Sequence, residues 1–203
     1  MKLVAVSKFH PLEAIHEALD AGQTVFGENR PQEFEKKVKA LEGSCIEWHF
    51  IGHLQTNKLK MVLPYADLVQ SVDSLHLLEA IDDWGRQNSR IIPVLLELHV
   101  AAEESKQGFY EEEILDILFR ASSYKNIRFC GLMGMATNTD IEDDIRADFG
   151  RIKGFMDYLC DLFPELDDFR ELSIGMSGDW RIALEFGATI VRIGTAIFGE
   201  RQP

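Results

Sequence analysis

The chain has 203 residues, 46% hydrophobic and 27% charged, a balance that excludes a disordered chain and a bundle of membrane spans. Lys and Arg number 21 against 34 Asp and Glu, giving a net charge of −13. A surface of that sign repels phosphate backbones and excludes nucleic acid as the expected partner, so any anionic small ligand must be met by a local cluster of donors.

The length suits one domain, 1–203, since single α/β barrels commonly run to about 200–250 residues. No apolar run reaches the roughly 18 residues that cross a bilayer, and residues 1–10 lack the ordered regions of a signal peptide, so the expected location is the cytoplasm. Cys45, Cys130 and Cys160 are odd in number and far apart, which predicts reduced, buried or half-buried thiols.

In chain order, an apolar run at 3–8 ends on Lys8. Pro11 opens a helix with Leu12, Ile15 and Leu19 on one face, closed by Gly22. Strand two, 24–27, runs into Glu28-Asn29-Arg30, and Pro31 starts a charged helix reaching about Leu41. Strand three is 47–52, followed by His53-Leu54-Gln55 and a short helix at 57–62. Strand four is 67–73, with a helix from Ser74 to about Gln87.

The fifth run, 91–100, is nearly all apolar, as suits a strand buried on both faces. A loop at 101–109 carries Lys106, placed either over the site or in solvent, and a helix follows at 111–121. Strand six is 127–135, the longest helix spans 141–163, and strand seven is 171–176. Asp179 begins a short helix that Gly187 ends, and strand eight is 188–193.

Eight strands, each of the first seven followed by a helix, predict an α/β fold of the (β/α)8 TIM barrel type lacking one outer helix; an open doubly wound sheet is the competing architecture. In a barrel, functional groups gather at the C-terminal strand ends. Here those ends offer Lys8, Asn29, His53, Asp73, residues 97–99, Met176-Ser177-Gly178 and Arg192-Ile193-Gly194-Thr195.

Ser177, Gly178 and Gly194-Thr195 stand at neighbouring strand ends, where a hydroxyl, backbone N–H groups and glycines that admit close approach suit a phosphate. Arg192 lies two residues before Gly194 and shares its side of the strand; a ring nitrogen or a neighbouring carboxylate would answer its charge. A lysine desolvated near cations keeps more neutral amine for a Schiff base. Amine, cation and phosphate cradle together describe a pyridoxal 5′-phosphate site.

Other groups have simpler roles. His49 and His53 have a metal-like spacing on a strand and turn that need not aim both rings at one point. Glu28 and Asp179 read as capping or bridging carboxylates, and Met133 with Met135 as barrel packing. A metal-dependent hydrolase using His49, His53 and Asp73 is the third reading of the chain.

Lys8, Phe26-Gly27-Glu28-Asn29-Arg30, residues 48–58, Met176-Ser177-Gly178-Asp179 and residues 191–199, in that order, resemble the pyridoxal 5′-phosphate homeostasis protein family over about 3–199. The resemblance implies an alanine-racemase-like barrel holding pyridoxal 5′-phosphate as an aldimine on Lys8. It places Ser177, Gly178, Gly194 and Thr195 at the phosphate, Arg192 at the pyridine nitrogen, and Asn29 and His53 near the ring or its entrance, with Met176 also among the cofactor-binding residues. Arginine at that nitrogen disfavours ring protonation and makes the cofactor a poor electron sink.

What the resemblance implies is a cofactor carrier for vitamin B6 balance, with no established catalytic residue and no metal. Its partners would be client enzymes that use the cofactor, and its state a monomer or weak homo-oligomer. A racemase with Lys8 as one base is the alternative; Tyr65, Tyr110, Tyr124 and Tyr158 all lie away from the predicted strand ends. Family members begin with a helix before the first strand, whereas here Leu3 follows Met1 almost at once. That arrangement predicts bare or partner-covered apolar surface between the first and last strands.

Overall fold

A computed structural model describes residues 1–100 and 107–199; Lys106 and the end of the chain after 199 lie outside the described residues. The eight apolar runs form β1 Lys2–Val6, β2 Val25–Glu28, β3 Glu47–Phe50, β4 Leu68–Val72, β5 Ile92–Leu98, β6 Ile127–Gly134, β7 Glu171–Ser173 and β8 Ile190–Ile193. Each is parallel to the next, and β8 pairs with β1, with Lys2 against Ile190 and Ala5 against Ile193. The sheet is therefore a closed barrel, and the open alternative is excluded.

Around it run α1 Leu12–Asp20, α2 Pro31–Ala40, α3 Leu59–Val62, α4 Leu75–Asn88, α5 Glu111–Phe119, α6 Glu142–Leu162, α7 Trp180–Glu185 and α8 Thr195–Phe198. Single 3₁₀ turns at Thr56–Lys58 and Ala121–Ser123 lead into α3 and follow α5. Local chemistry accounts for several boundaries. Pro31 occupies the first turn of α2, where its missing N–H has no intrahelical partner to lose, and the Ser74 hydroxyl accepts from Leu77 N at the start of α4.

Two buried clusters follow from strand alternation. Val4, Leu68, Leu95, Cys130, Met133 and Ile190 point inward and fill the barrel, while a larger set, including Phe26, Val69, Leu96 and Leu132, packs beneath the helices. Met135 packs against the inner set. In β6 a register shift opposite Val94 and Leu95 brings Gly131 so close to β7 that a Cβ there would lie 1.9 Å from the Glu171 carbonyl oxygen.

Four expectations need correction. An eighth helix exists, although α8 is a single turn after β8. The surface between β1 and β8 is largely closed, because the outward Ala5, Val191 and Ile193 are buried and only Leu3 is half-buried. Residues of α1, α7 and α8 supply this cover: Leu12, Leu19, Ala183 and Phe198 join the outer core, and Phe198 stacks on His10 at 5.0 Å. β1 and β7 stop sooner than their apolar runs, releasing Lys8 and residues 174–176 into loops. Cys45 and Cys160 are exposed, and only Cys130 is buried.

Candidate functional site

The C-terminal mouth of the barrel gathers most of the expected groups, and their contacts run around its rim. At β1, Lys8 is half-buried in a turn closed by a hydrogen bond from His10 N to Ser7 O, with Phe9 in the left-handed region at φ 68°. The residues flanking Lys8 are braced from α2. Lys37 Nζ donates to Ser7 O at 2.7 Å, and Glu33 Oε1 accepts from Phe9 N at 2.7 Å.

Beneath them lies a buried carboxylate. Glu28 Oε1 accepts from Ser7 Oγ and Lys37 Nζ, both at 2.7 Å, while Lys37 also bonds Glu33. Burial raises the Glu28 pKa, against the pull of Lys37. Glu28 is thus a bridging group, with no direct place in the mouth.

Beyond β2, Asn29 abuts Gly52: a Cβ on that glycine would lie 2.2 Å from Asn29 O, so the two strand ends touch. Ser71 Oγ donates to Gly52 O, and His53 Nδ1 meets Asp73 Oδ2 at 2.7 Å. His49 turns away, bonding Glu47 and Gln70 within the barrel. Among the described residues no three His, Cys, Asp or Glu side chains converge as a metal site would require, which leaves the hydrolase reading without its centre.

At β5 the buried Glu97 has a pKa raised to about 7, first by desolvation and then by Asp73, with Arg192 opposing. Arg192 reaches inward from β8, and its guanidinium Nη1 donates to Ser173 O at 2.8 Å and Ser173 Oγ at 2.6 Å, while Nη2 donates to Gly134 O at 3.0 Å. Complete burial draws its pKa down to about 10; Glu97 and Asp179 oppose the shift. The cation is held by neutral acceptors, with carboxylates acting only at longer range.

The β7 and β8 loops meet where Gly194 N donates to Ser177 Oγ at 3.3 Å. A Cβ on Gly194 would lie 3.4 Å from Val6 O, so this junction is two residues from Lys8 along β1. No atom stands within 4 Å of the corresponding position on Gly178, leaving its backbone open to a ligand. Asp179 Oδ1 accepts from Met176 N and fixes the turn, with the Met176 side chain partly exposed. Thr195 is the first residue of α8.

Two further atoms mark a site for a polar molecule. Among the described residues Asn29 Oδ1 and His99 Nδ1, like Glu28 Oε2 below the mouth, are buried without a hydrogen-bond partner, a costly state that a ligand could relieve for the two at the mouth. His99 was visible in the sequence only as the end of an apolar run. Glu97 stood among the same strand-end groups, while Gln70 and Ser173 were harder, since their partners lie in other strands. Tyr110, remote from the predicted strand ends, packs its ring against His99 at 5.5 Å.

The chain is similar in sequence and fold to known proteins. The family model for the alanine racemase N-terminal domain matches residues 1–202. The pyridoxal phosphate homeostasis protein of Aquifex aeolicus is 39% identical over 201 residues, covering 99% of this chain and 87% of that protein. The human protein of the same name is 37% identical over 212 residues, covering 99% and 77%.

Among solved structures, PipY of Synechococcus elongatus without PLP superposes with a TM-score of 0.93 at 36% identity, covering 98% of this chain and 93% of that one. PipY with PLP bound gives 0.89 at 35%, covering 98% and 92%. An alanine racemase from Clostridium difficile shares the fold, with a TM-score of 0.80 at 14% identity over 98% of this chain and 52% of its own.

Proposed function

The chain belongs to the alanine racemase N-terminal domain family and, within it, to the pyridoxal phosphate homeostasis proteins, and from that membership we propose that it binds pyridoxal 5′-phosphate and holds it through the Lys8 amine. The observation that carries this reading is the mouth itself. A half-buried lysine, two loops meeting through Ser177 and Gly194, and a buried guanidinium lie around the same barrel end as the unpartnered Asn29 Oδ1 and His99 Nδ1. A phosphorylated pyridine aldehyde matches that donor set in charge and size of polar groups.

The cofactor supplies a reactive aldehyde; the chain's own residues supply its reception. Ser177 and the backbone of Gly178, Gly194 and Thr195 give neutral donors and clearance for a phosphate, with Met176 at its edge. Arg192 presents a permanent cation to the pyridine nitrogen, disfavouring a proton there. Asn29 and His53 border the ring. The same reading extends to storage and delivery of the cofactor to client enzymes in the cytoplasm, by a monomer or weak homo-oligomer.

Reduction of the loaded protein with borohydride followed by peptide mapping tests the attachment. The expected result is one pyridoxyl group, on Lys8, with Lys8→Ala folded but unable to retain the visible chromophore. A wild-type protein that takes up no chromophore, or a label on another lysine, would overturn the proposal. Deuterium exchange at the α-carbon of free amino acids measures the racemase alternative in the same preparation.

A further inference from the structure

Arg192 is the upper end of a polar chain that runs through the barrel to its opposite mouth. Ser173 Oγ, which accepts from Arg192 Nη1, lies 2.6 Å from Gln70 Oε1; β7 and β4 are not neighbours, so this bond crosses the interior. Gln70 Nε2 is 2.6 Å from His49 Nδ1, and His49 Nε2 is 2.8 Å from Glu47 Oε1. Lys2 Nζ closes the chain on that same carboxylate oxygen at 2.5 Å. Ser173, Gln70 and His49 are fully buried, whereas Glu47 and Lys2 are each about 36% exposed at the N-terminal ends of β3 and β1.

With a neutral imidazole at His49, the donors and acceptors fit one direction. Glu47 remains a carboxylate, its pKa drawn down to about 2 by the His49 hydrogen bond and by Lys2, so it can only accept. His49 therefore carries its proton on Nε2, which leaves Nδ1 as an acceptor for the Gln70 amide N–H. The Gln70 oxygen must then face Ser173 and take its hydroxyl proton. The remaining lone pairs of Ser173 are left to accept from Arg192, and each link fixes the orientation of the next.

We propose that Ser173, Gln70 and His49 are positioning residues, through which the Glu47 carboxylate at one mouth of the barrel fixes the guanidinium that meets the pyridine nitrogen at the other. This rests on the assignment of Arg192 to that nitrogen. The barrel interior at this level is thus a directed polar rod, and the electronic setting of the bound ring depends on residues that never touch it.

Two variants separate direction from packing. Gln70→Glu keeps the size of the side chain but has no N–H to give His49, and Ser173→Ala removes the hydroxyl, with Ser173→Thr as its rescue. The imidazole nitrogens of His49, read by long-range ¹H–¹⁵N NMR, should show the Nε2–H tautomer in the wild-type protein and lose it in Gln70→Glu. Both Gln70→Glu and Ser173→Ala should shift the absorbance of Lys8-attached pyridoxal phosphate and weaken its retention by about tenfold, the lower end of what outer partners of a ligand are worth at metal sites. Ser173→Thr should restore both.

An Nδ1–H tautomer in the wild-type protein, or folded variants that keep the wild-type spectrum and affinity, would overturn the proposal. A melting temperature that falls while tautomer and spectrum stay put would reduce these residues to packing and overturn it likewise. If the wild-type protein took up no pyridoxal phosphate, the binding assignment would fail, and the imidazole signals would still show whether the chain exists.

Discussion

Glu97 is a buried carboxyl whose protonation this fold strongly favours. Its pKa of about 7 arises because burial and the nearby Asp73 disfavour a second negative charge, and Arg192 only partly relieves them. The folded state therefore binds this proton more tightly than the unfolded chain, whose glutamate titrates near 4. That stabilisation is fully present below about pH 4 and is lost as the pH rises through about 7, a change of about 4 kcal/mol as an upper figure. Glu97→Gln should remove this decline, so that denaturant unfolding of the ligand-free protein at pH 5 and pH 8 shows a smaller fall in stability than in the wild type; an unchanged fall would refute it. The residue-level reading of the sequence put Lys8, Asn29, Ser177, Arg192 and Gly194 at strand ends because a strand end is legible from the strand before it. The strand-end place of Glu97 was legible but its partners were not, and Gln70 was not singled out at all, since what makes both important is a neighbour across the barrel: Gln70 meets Ser173 at a separation of 103 residues.

At the level of elements, two contacts decide how strands and helices hold the site. Gly131 adopts φ 143° beside β7, and a methyl group there would collide with the Glu171 backbone. Gly131→Ala should therefore weaken the β6–β7 closure and cost at least about 3 kcal/mol, the upper part of the usual range for single substitutions, as measured by chemical denaturation. The second contact ties α2 to the Lys8 turn through Lys37, whose single amine serves Glu28, Glu33 and Ser7 O. Lys37→Met would leave Glu28 buried without its cation, a loss of about 3–5 kcal/mol, and adding Glu28→Gln should recover part of it. Failure of the second change to recover stability would show that the charge pair is not the source. The sequence showed that a charged helix follows Pro31 and reaches about Leu41. It did not show that the polar Lys37 faces inward, because amphipathic periodicity assigns a lysine to solvent by default and only the buried Glu28 makes the reverse tolerable.

For the whole molecule, closure of the sheet was legible because eight apolar runs leave no strand to serve as an edge, whereas the cover over β1 and β8 includes a one-turn α8 that periodicity does not resolve. The net charge of −13 also acts at this scale. A pyridoxal phosphate dianion approaching such a surface is repelled over about 30 Å in 0.01 M salt but over only about 8 Å at 0.15 M. In the proposed phosphate site the donors are a hydroxyl and backbone N–H groups, which carry no net charge for salt to screen. Ionic strength should therefore change the rate of arrival far more than the strength of holding. Stopped-flow absorbance is expected to show the association rate constant rising by about two- to tenfold between 0.01 and 0.15 M salt, with the dissociation rate nearly constant. An association rate that falls with salt would mean that Arg192 and Lys8 project a positive field beyond the mouth strong enough to outweigh the acidic surface, and that anions are steered in instead of merely tolerated.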